Sequence, residues 1–393
     1  MIEAALDSVT PEEIDALTCE LVAIEGHEET ADREKPVAAF IRDYLDARGV
    51  RAELEPVLDG RSNVMARVAG SGDGPVLLLN GHTDTVPPYA MEDPFRGRID
   101  GDRICGRGSV DMKGALASMM CVLIALQRSG AALKGDVVLA ATIGEEKASE
   151  GAAHIVDSGF RADYAIVGEG TGLMVGTAHK GALRGEVVFE GRAVHSSVPE
   201  QGVNAIYTAS AWIERIKSEY IPSLAKKTHP LLGSPTMNLG VIEGGTRMSA
   251  VPDRCAIRFD RRMIPGEEAD VLVGELQAVA DELAAKDTEF RAEVKKLSEY
   301  HEGPHPPLES DPNSPLVDAL LSAREQELGE RTEPVGLAYW TDASLLARIP
   351  GLHAVVCGPG DIAQAHTNDE WVSRDQLHAA FRIYARAAAT LLG

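Results

Sequence analysis

The sequence predicts an α/β protein: a mostly parallel central sheet flanked by helices, with a smaller α+β domain inserted in it. Three observations predict this. Short apolar strands alternate with helical periodicity through the first half of the chain. Near residue 180 the alternation gives way to a β-α-β-β-α-β order, the ferredoxin-like arrangement. Alternation of strand and helix then resumes toward the C-terminus.

Taken in order, Val76-Leu-Leu-Leu79 reads as a buried strand, and Lys113 to Arg128 is apolar at helical spacing. Asp136 to Thr142 and Tyr164 to Val167 are strands, each closely followed by Gly and a carboxylate. The inserted region reads as strand Ala182–Glu190, helix Asn204–Glu219, strands Thr236–Ile242 and Cys255–Arg262, helix Ala269–Lys286 and strand Glu289–Leu297. Helix Pro315–Leu328, strand Ala354–Cys357 and helix Arg374–Leu392 complete the chain. The economical division is a discontinuous α/β domain of 1–180 and 299–393, with 181–298 inserted.

Composition narrows the function classes. The 393 residues are 44% hydrophobic, enough for a full core, and 38 basic against 61 acidic residues leave a formal charge of -23. That excess argues against nucleic acid and against an anionic membrane surface as partners. The five cysteines (Cys19, Cys105, Cys121, Cys255, Cys357) are scattered, without CxxC or metal-type spacing, as expected of reduced thiols in a cytoplasm. The N-terminus has no basic segment before an apolar one, so no signal peptide is expected, and no apolar run nears the roughly 20 residues of a membrane span.

In an open α/β sheet, ligands bind beyond the carboxyl ends of the strands. The segments after the strands therefore carry the functional reading. They are Asn80-Gly-His-Thr-Asp-Thr-Val-Pro87, Gly144-Glu-Glu146, Gly168-Glu-Gly170 and Gly358-Pro-Gly-Asp-Ile-Ala-Gln-Ala-His366, with Asp111 opening the helix in Gly106-Arg-Gly-Ser-Val-Asp-Met-Lys-Gly114. Each alone reads as a capping or solvated residue. Together they bring two His and several carboxylates to one edge, where like charges raise each other's pKa unless cations intervene. His with carboxylate and no Cys suits Zn²⁺, with Co²⁺ or Mn²⁺ as alternatives. One carboxylate bridging two ions about 3.5–4 Å apart would make a two-metal hydrolytic centre.

The motifs Gly81-His-Thr-Asp-Thr-Val-Pro87, Gly106–Gly114, Gly144-Glu-Glu146, Gly168-Glu169 and Ala365-His-Thr-Asn-Asp-Glu370 resemble, in order and over nearly the whole chain, the signatures of the di-zinc aminoacylase and carboxypeptidase family. That family includes acetylornithine deacetylase, succinyl-diaminopimelate desuccinylase and bacterial glutamate carboxypeptidase. The resemblance implies a zinc-peptidase-like catalytic domain and an inserted lid and dimerisation domain. It also implies two Zn²⁺ per subunit, with His82 and Glu169 on one, Glu146 and His366 on the other, and Asp111 bridging. Asp84 would accept the second ring N–H of His82. Glu145 would be the general base, taking a proton from a water shared by the metals. In the insertion, Gly191–Ile206 resembles the family's lid signature. His195 would reach a partner subunit's site and stabilise the oxyanion. Arg262, or its neighbour Arg261, would hold a substrate carboxylate, and Asn238 would touch substrate. Many relatives carry Asn where Ser249 stands, so no substrate contact is carried over to that position. Glu150, at the end of the Glu145-Glu146 loop, receives no role and is expected to be exposed.

The function this implies is hydrolysis of the amide bond of N-acyl-L-amino acids, as in the acetylornithine deacetylase branch, by a cytoplasmic homodimer. The competing readings are a metallo-carboxypeptidase or dipeptidase and a desuccinylase. A dinucleotide site at Gly358-Pro-Gly-Asp-Ile-Ala363 fails, because Gln-Ala-His-Thr follows instead of an apolar helix. A metal-free binding protein of this fold is disfavoured, since all five expected ligands and the base are present. His27-Glu28 is followed by Ala31 where the second His of an HExxH site would stand, and no GxSxG occurs.

Overall fold

The computed structural model describes residues 2–58, 60–72, 74–131, 133–297 and 305–393. The domain boundary expected at 298/299 lies outside them. The chain forms two compact units. The first is Met1–Thr177, Glu309–Gly336 and Thr341–Gly393, and the second is Ala178–Leu308 with Leu337–Trp340.

In the first unit, a mixed sheet has a parallel centre. The strands run in the order Ala52–Leu58, Arg61–Val68, Asp136–Thr142, Val76–His82, Tyr164–Val167 and His353–Val356, with shorter strands beyond. The last four of these are mutually parallel. Parallel strands covered on both faces read as near-continuous apolar runs, and Asp136–Thr142, apolar from Val137 to Ala141, is buried at every position. The first two strands pair antiparallel as a hairpin that the sequence reading did not anticipate. Ala52–Leu58 contains Pro56 and is largely exposed, so it carries little apolar signal.

Helices cover this sheet. Gly114–Ser129 is buried along most of its length, and Arg374–Leu392 packs with Pro315–Leu328. The stretch Ser109–Ser129 meets the length and composition of a membrane span, but the apolar window that does so is buried inside the protein. It is a core helix, with Leu116, Met120 and Leu123 joining Leu77, Leu79, Leu139 and Val355 in one apolar cluster. A further three-stranded sheet joins Arg98–Asp100, Arg103–Cys105 and Trp371–Ser373.

The parallel strands end at His82, Thr142, Val167 and Val356. Parallel direction places all four ends on one edge, so the loops that follow them share that edge.

The second unit is a four-stranded antiparallel sheet in the order Thr236–Gly244, Arg254–Met263, Gly181–Glu190 and Arg291–Lys296. Helices Ala205–Arg215 and Ala269–Ala284 complete the β-α-β-β-α-β arrangement. Asn204 caps the first helix, its side chain accepting the N–H groups of Ile206 and Tyr207. Phe189, Trp212, Phe259, Leu272 and Phe290 form the unit's own core, with the Phe189 ring 6.0 Å from Trp212 and 6.2 Å from Phe290, both edge-on.

Candidate metal centre

His82 is the last residue of its strand and is buried. Glu145 and Glu146 follow Asp136–Thr142 through a tight turn. Gly144 takes φ +79° there, a left-handed conformation that strains any side chain and favours glycine. Glu169 follows Tyr164–Val167. Asp111 does not open a helix: it lies in irregular backbone (φ -128°, ψ 88°) ahead of the helix that starts at Gly114. His366 sits in a loop at φ +61°, an uncommon conformation for a non-glycine residue, of the kind found at functional sites.

The side chains meet in a definite pattern. His82 Nε2 is 2.9 Å from Asp111 Oδ1 and 3.5 Å from Glu169 Oε1. His366 Nε2 is 3.2 Å from Asp111 Oδ2 and 3.1 Å from Glu146 Oε2. The two oxygens of Asp111 thus face different imidazoles, each accompanied by a different glutamate. Ligand atoms of His82, Glu145 and Glu169 lie within 4.8 Å of one another, as do those of His82, Asp111 and Glu146. Glu145 therefore stands beside the first group rather than away from it.

The electrostatics are those of a site short of positive charge. Burial pushes the Glu145 carboxyl well above its usual range, only partly offset by His82. Burial, reinforced by Asp111, raises Glu146 to about 7, and burial raises Glu169. Hydrogen bonds to Asp111 and Glu146 raise His366 to about 10. Burial opposes the same effect at His82, yet Asp111 and Glu169 hold its pKa well above normal. Burial would also raise Asp111, but His366 and His82 hold it well below. Protons are doing what cations would do better. Imidazole nitrogens, buried at His82 and half exposed at His366, and carboxylate oxygens, with no sulfur, are the donor set of a hard or borderline divalent ion. The residues fit two such ions: His82, Asp111 and Glu169 for one, and Asp111, Glu146 and His366 for the other.

Besides Asp111, two residues depart from the sequence reading, and one was not in it. Asp84 was expected to take the second ring nitrogen of His82 with its carboxylate. Instead the backbone carbonyl of Asp84 lies 2.9 Å from His82 Nδ1, and the nearer carboxylate oxygen lies at 3.6 Å. The carboxylate is committed elsewhere: it accepts the backbone N–H groups of Gly144, Glu145 and Glu146 at 2.9, 3.2 and 3.1 Å and so shapes the glutamate turn. Glu150 is not a free surface residue but pairs with Arg61, which also binds buried Glu34. Asp342 was missed altogether. It is buried, accepts the Thr142 hydroxyl at 3.2 Å, and burial raises it to about 7. Its sequence context, Trp340-Thr-Asp-Ala343, reads only as a helix cap.

Within the second unit, His195 is exposed, and its Nδ1 accepts the Ser197 backbone N–H at 3.2 Å. Nδ1 also lies 2.7 Å from the Ser197 hydroxyl. The two candidate arginines separate clearly. Arg261 is fully buried and paired with Glu267 at 2.8 Å, whereas Arg262 is about one-third exposed, with Nε on Asp260 at 2.8 Å. Asn238 is exposed on strand Thr236–Gly244.

Residues 78–390 match the model of peptidase family M20/M25/M40. Acetylornithine deacetylase of Myxococcus xanthus is 30% identical over 367 residues, covering 91% of this chain and 92% of its own. A probable succinyl-diaminopimelate desuccinylase of Staphylococcus epidermidis is 28% identical over 388 residues, covering 90% and 92%. Among solved structures, a tripeptidase from Staphylococcus aureus superposes with a TM-score of 0.81 at 20% identity, covering 98% of this chain and 99% of that one. The chain therefore belongs to the M20/M25/M40 peptidase family, and it is a metal-dependent hydrolase of amide or peptide bonds.

Proposed function

We propose that the protein removes the acyl group from N-acyl-L-amino acids, as an acetylornithine deacetylase-like enzyme holding two Zn²⁺ per subunit. The observation that carries the two-metal reading is the division of the Asp111 oxygens between His82 and His366. The choice of a deacylase rests on the Gly358–His366 loop, which resembles that branch, and on the 30% identity to the Myxococcus deacetylase over almost the whole chain. Release of a C-terminal residue from a peptide and removal of a succinyl group are the rival activities.

Two divalent ions bound by these ligands would supply Lewis acidity for water and for the scissile carbonyl. This chain's residues do the rest. Glu145 is the base: His82 pairs with Asp111 and Glu169, and His366 with Asp111 and Glu146, without it, and its carboxylate lies beside His82 and Glu169. It takes the proton of the attacking water and delivers it to the departing nitrogen. The Asp84 carboxylate holds the 144–146 turn, so that one glutamate serves as ligand and its neighbour as base. His195 donates to the oxyanion of a partner subunit's substrate. Arg262, rather than buried Arg261, takes the substrate carboxylate, with Asn238 beside it.

The partner is a second copy of this chain, docked through the second unit. Strand Thr236–Gly244 is an edge strand, and Val241 and Ile242 on it are exposed, as are Tyr207 and Met248. Such an edge is a template for strand pairing between chains. Five free cysteines support a reducing, cytoplasmic setting.

Glu145→Gln should keep both metals but lower kcat by about 10²–10⁴-fold. The assay is turnover of N-acetyl amino acids, with N-succinyl amino acids and dipeptides as comparison substrates. Loss of metal in this variant would make Glu145 a ligand, and a preference for dipeptides would favour the peptidase.

The cross-subunit role has its own test. Glu145→Gln and His195→Ala chains, each inactive alone, should recover activity when mixed and allowed to exchange subunits, because one of the two sites then has both groups. No recovery despite exchange would place His195 outside the partner's site.

The raised groups fix the direction of a pH effect. In metal-free protein at pH 7, His366 (about 10) is protonated and Glu146 (about 7) partly so. Ligation requires both protons off. Zinc binding at pH 7 should therefore release protons, and apparent affinity should climb between pH 7 and 10. Calorimetry in buffers of different ionisation enthalpy measures this, and binding without proton release would contradict the ligand assignment.

A further inference from the structure

One buried ion pair outside the ligand set touches three segments that carry ligands. Glu370 and Arg107 are each about 1% exposed, and Arg107 Nη1 donates to Glu370 Oε2 at 2.5 Å. A buried pair of this kind contributes little stability in itself, because desolvation offsets its attraction. What distinguishes this one is its other contacts.

The Glu370 carboxylate accepts backbone N–H groups from Gly108 at 3.0 Å on Oε2, and from Val110 at 3.0 Å and Asp111 at 3.3 Å on Oε1. With Arg107 that makes four donors on one carboxylate. These backbone groups lie in the irregular stretch before helix Gly114–Ser129, where no helical ladder satisfies them. Arg107 extends the network. Its Nη2 donates to the Thr367 carbonyl at 3.0 Å and its Nε to the Pro87 carbonyl at 3.2 Å. Thr367 follows His366, and Pro87 closes the loop that begins at His82.

We propose that the Arg107–Glu370 pair is a clasp that positions Asp111 and His366 for metal binding. It touches neither substrate nor ion, and it acts through the backbone of the ligand loops. Asp111 must present its two oxygens in two directions from a segment with no regular structure of its own. The Glu370 carboxylate supplies the fixed frame, and Arg107 ties the same frame to the His366 and His82 loops. The ion held by Asp111, Glu146 and His366 depends on it most, because both Asp111 and His366 are then held from the same point. The inference rests on the two-metal reading above.

Glu370→Gln tests it. In either orientation of the amide, its NH₂ faces two donors, and Arg107 loses its counter-charge in a buried site. The metal-free variant should keep its far-ultraviolet circular dichroism. Its affinity for the second Zn²⁺, measured by competition with a chromophoric chelator, should fall about 10- to 100-fold, as is common when a group orienting a ligand is removed. The first Zn²⁺ should be weakened less, and excess Zn²⁺ should restore turnover. Arg107→Lys keeps the charge but not the three-way fork, and it should weaken the second Zn²⁺ in the same sense by a smaller factor. If Glu370→Gln does not fold, Arg107→Lys decides alone. Unchanged affinity for both ions in a folded variant, even with lowered thermal stability, would reduce the pair to a structural role and overturn the clasp. Wild-type protein that binds fewer than two ions would instead defeat the two-metal reading on which the clasp stands.

Discussion

The constraint on which the rest of the structure depends is the burial of like charges. Five carboxylates (Asp111, Glu145, Glu146, Glu169 and Asp342) are gathered near two histidines at one edge of a sheet, and burial raises the pKa of all but Asp111. Taking a charge out of water is costly unless it is paired. A chain that gathers these groups from strand ends far apart in sequence must have something positive to gather them around. Asp111 shows where: its two oxygens each meet one histidine, so a single residue defines two positions at once.

The fold makes that arrangement reachable. Parallel strands ending together deliver His82, the Glu145-Glu146 turn, Glu169 and the loop toward His366 to one edge, above a large apolar cluster. The loops are then held by polar contacts that touch neither ion. The Asp84 carboxylate shapes one turn, and Glu370 and Arg107 hold another. Such contacts convert a floppy set of loops into a site in which adjacent glutamates face different neighbours, which is how Glu145 and Glu146 can differ in role.

Much of this was legible in the sequence, for physical reasons. A buried parallel strand is a short apolar run, and the residues after it are the ones that can converge. That located the segments that carry His82, Glu145, Glu146, Glu169 and His366, and the family resemblance picked out the residues within them. Strands Asp136–Thr142 and Tyr164–Val167 have the bounds their apolar runs suggest. The hairpin Ala52–Val68 was not legible, because its first strand is half exposed and carries a proline. Asp342 was missed since Thr-Asp before a helix looks like a cap. Glu370 lay in a recognised motif, but its work is done through backbone N–H groups more than 250 residues earlier, and no local pattern records such contacts. The same holds for Asp84, whose neighbour His82 takes the carbonyl while the carboxylate turns to a loop 60 residues on. The choice between Arg261 and Arg262 needed burial, which strand periodicity alone did not supply.

The most direct test of the account is anomalous diffraction from crystals of the Zn²⁺-loaded protein. The account predicts two peaks per chain, each about 2.0–2.2 Å from a different oxygen of Asp111, one also touching His82 and Glu169 and the other Glu146 and His366. A single peak, or two peaks that do not share Asp111, would contradict it.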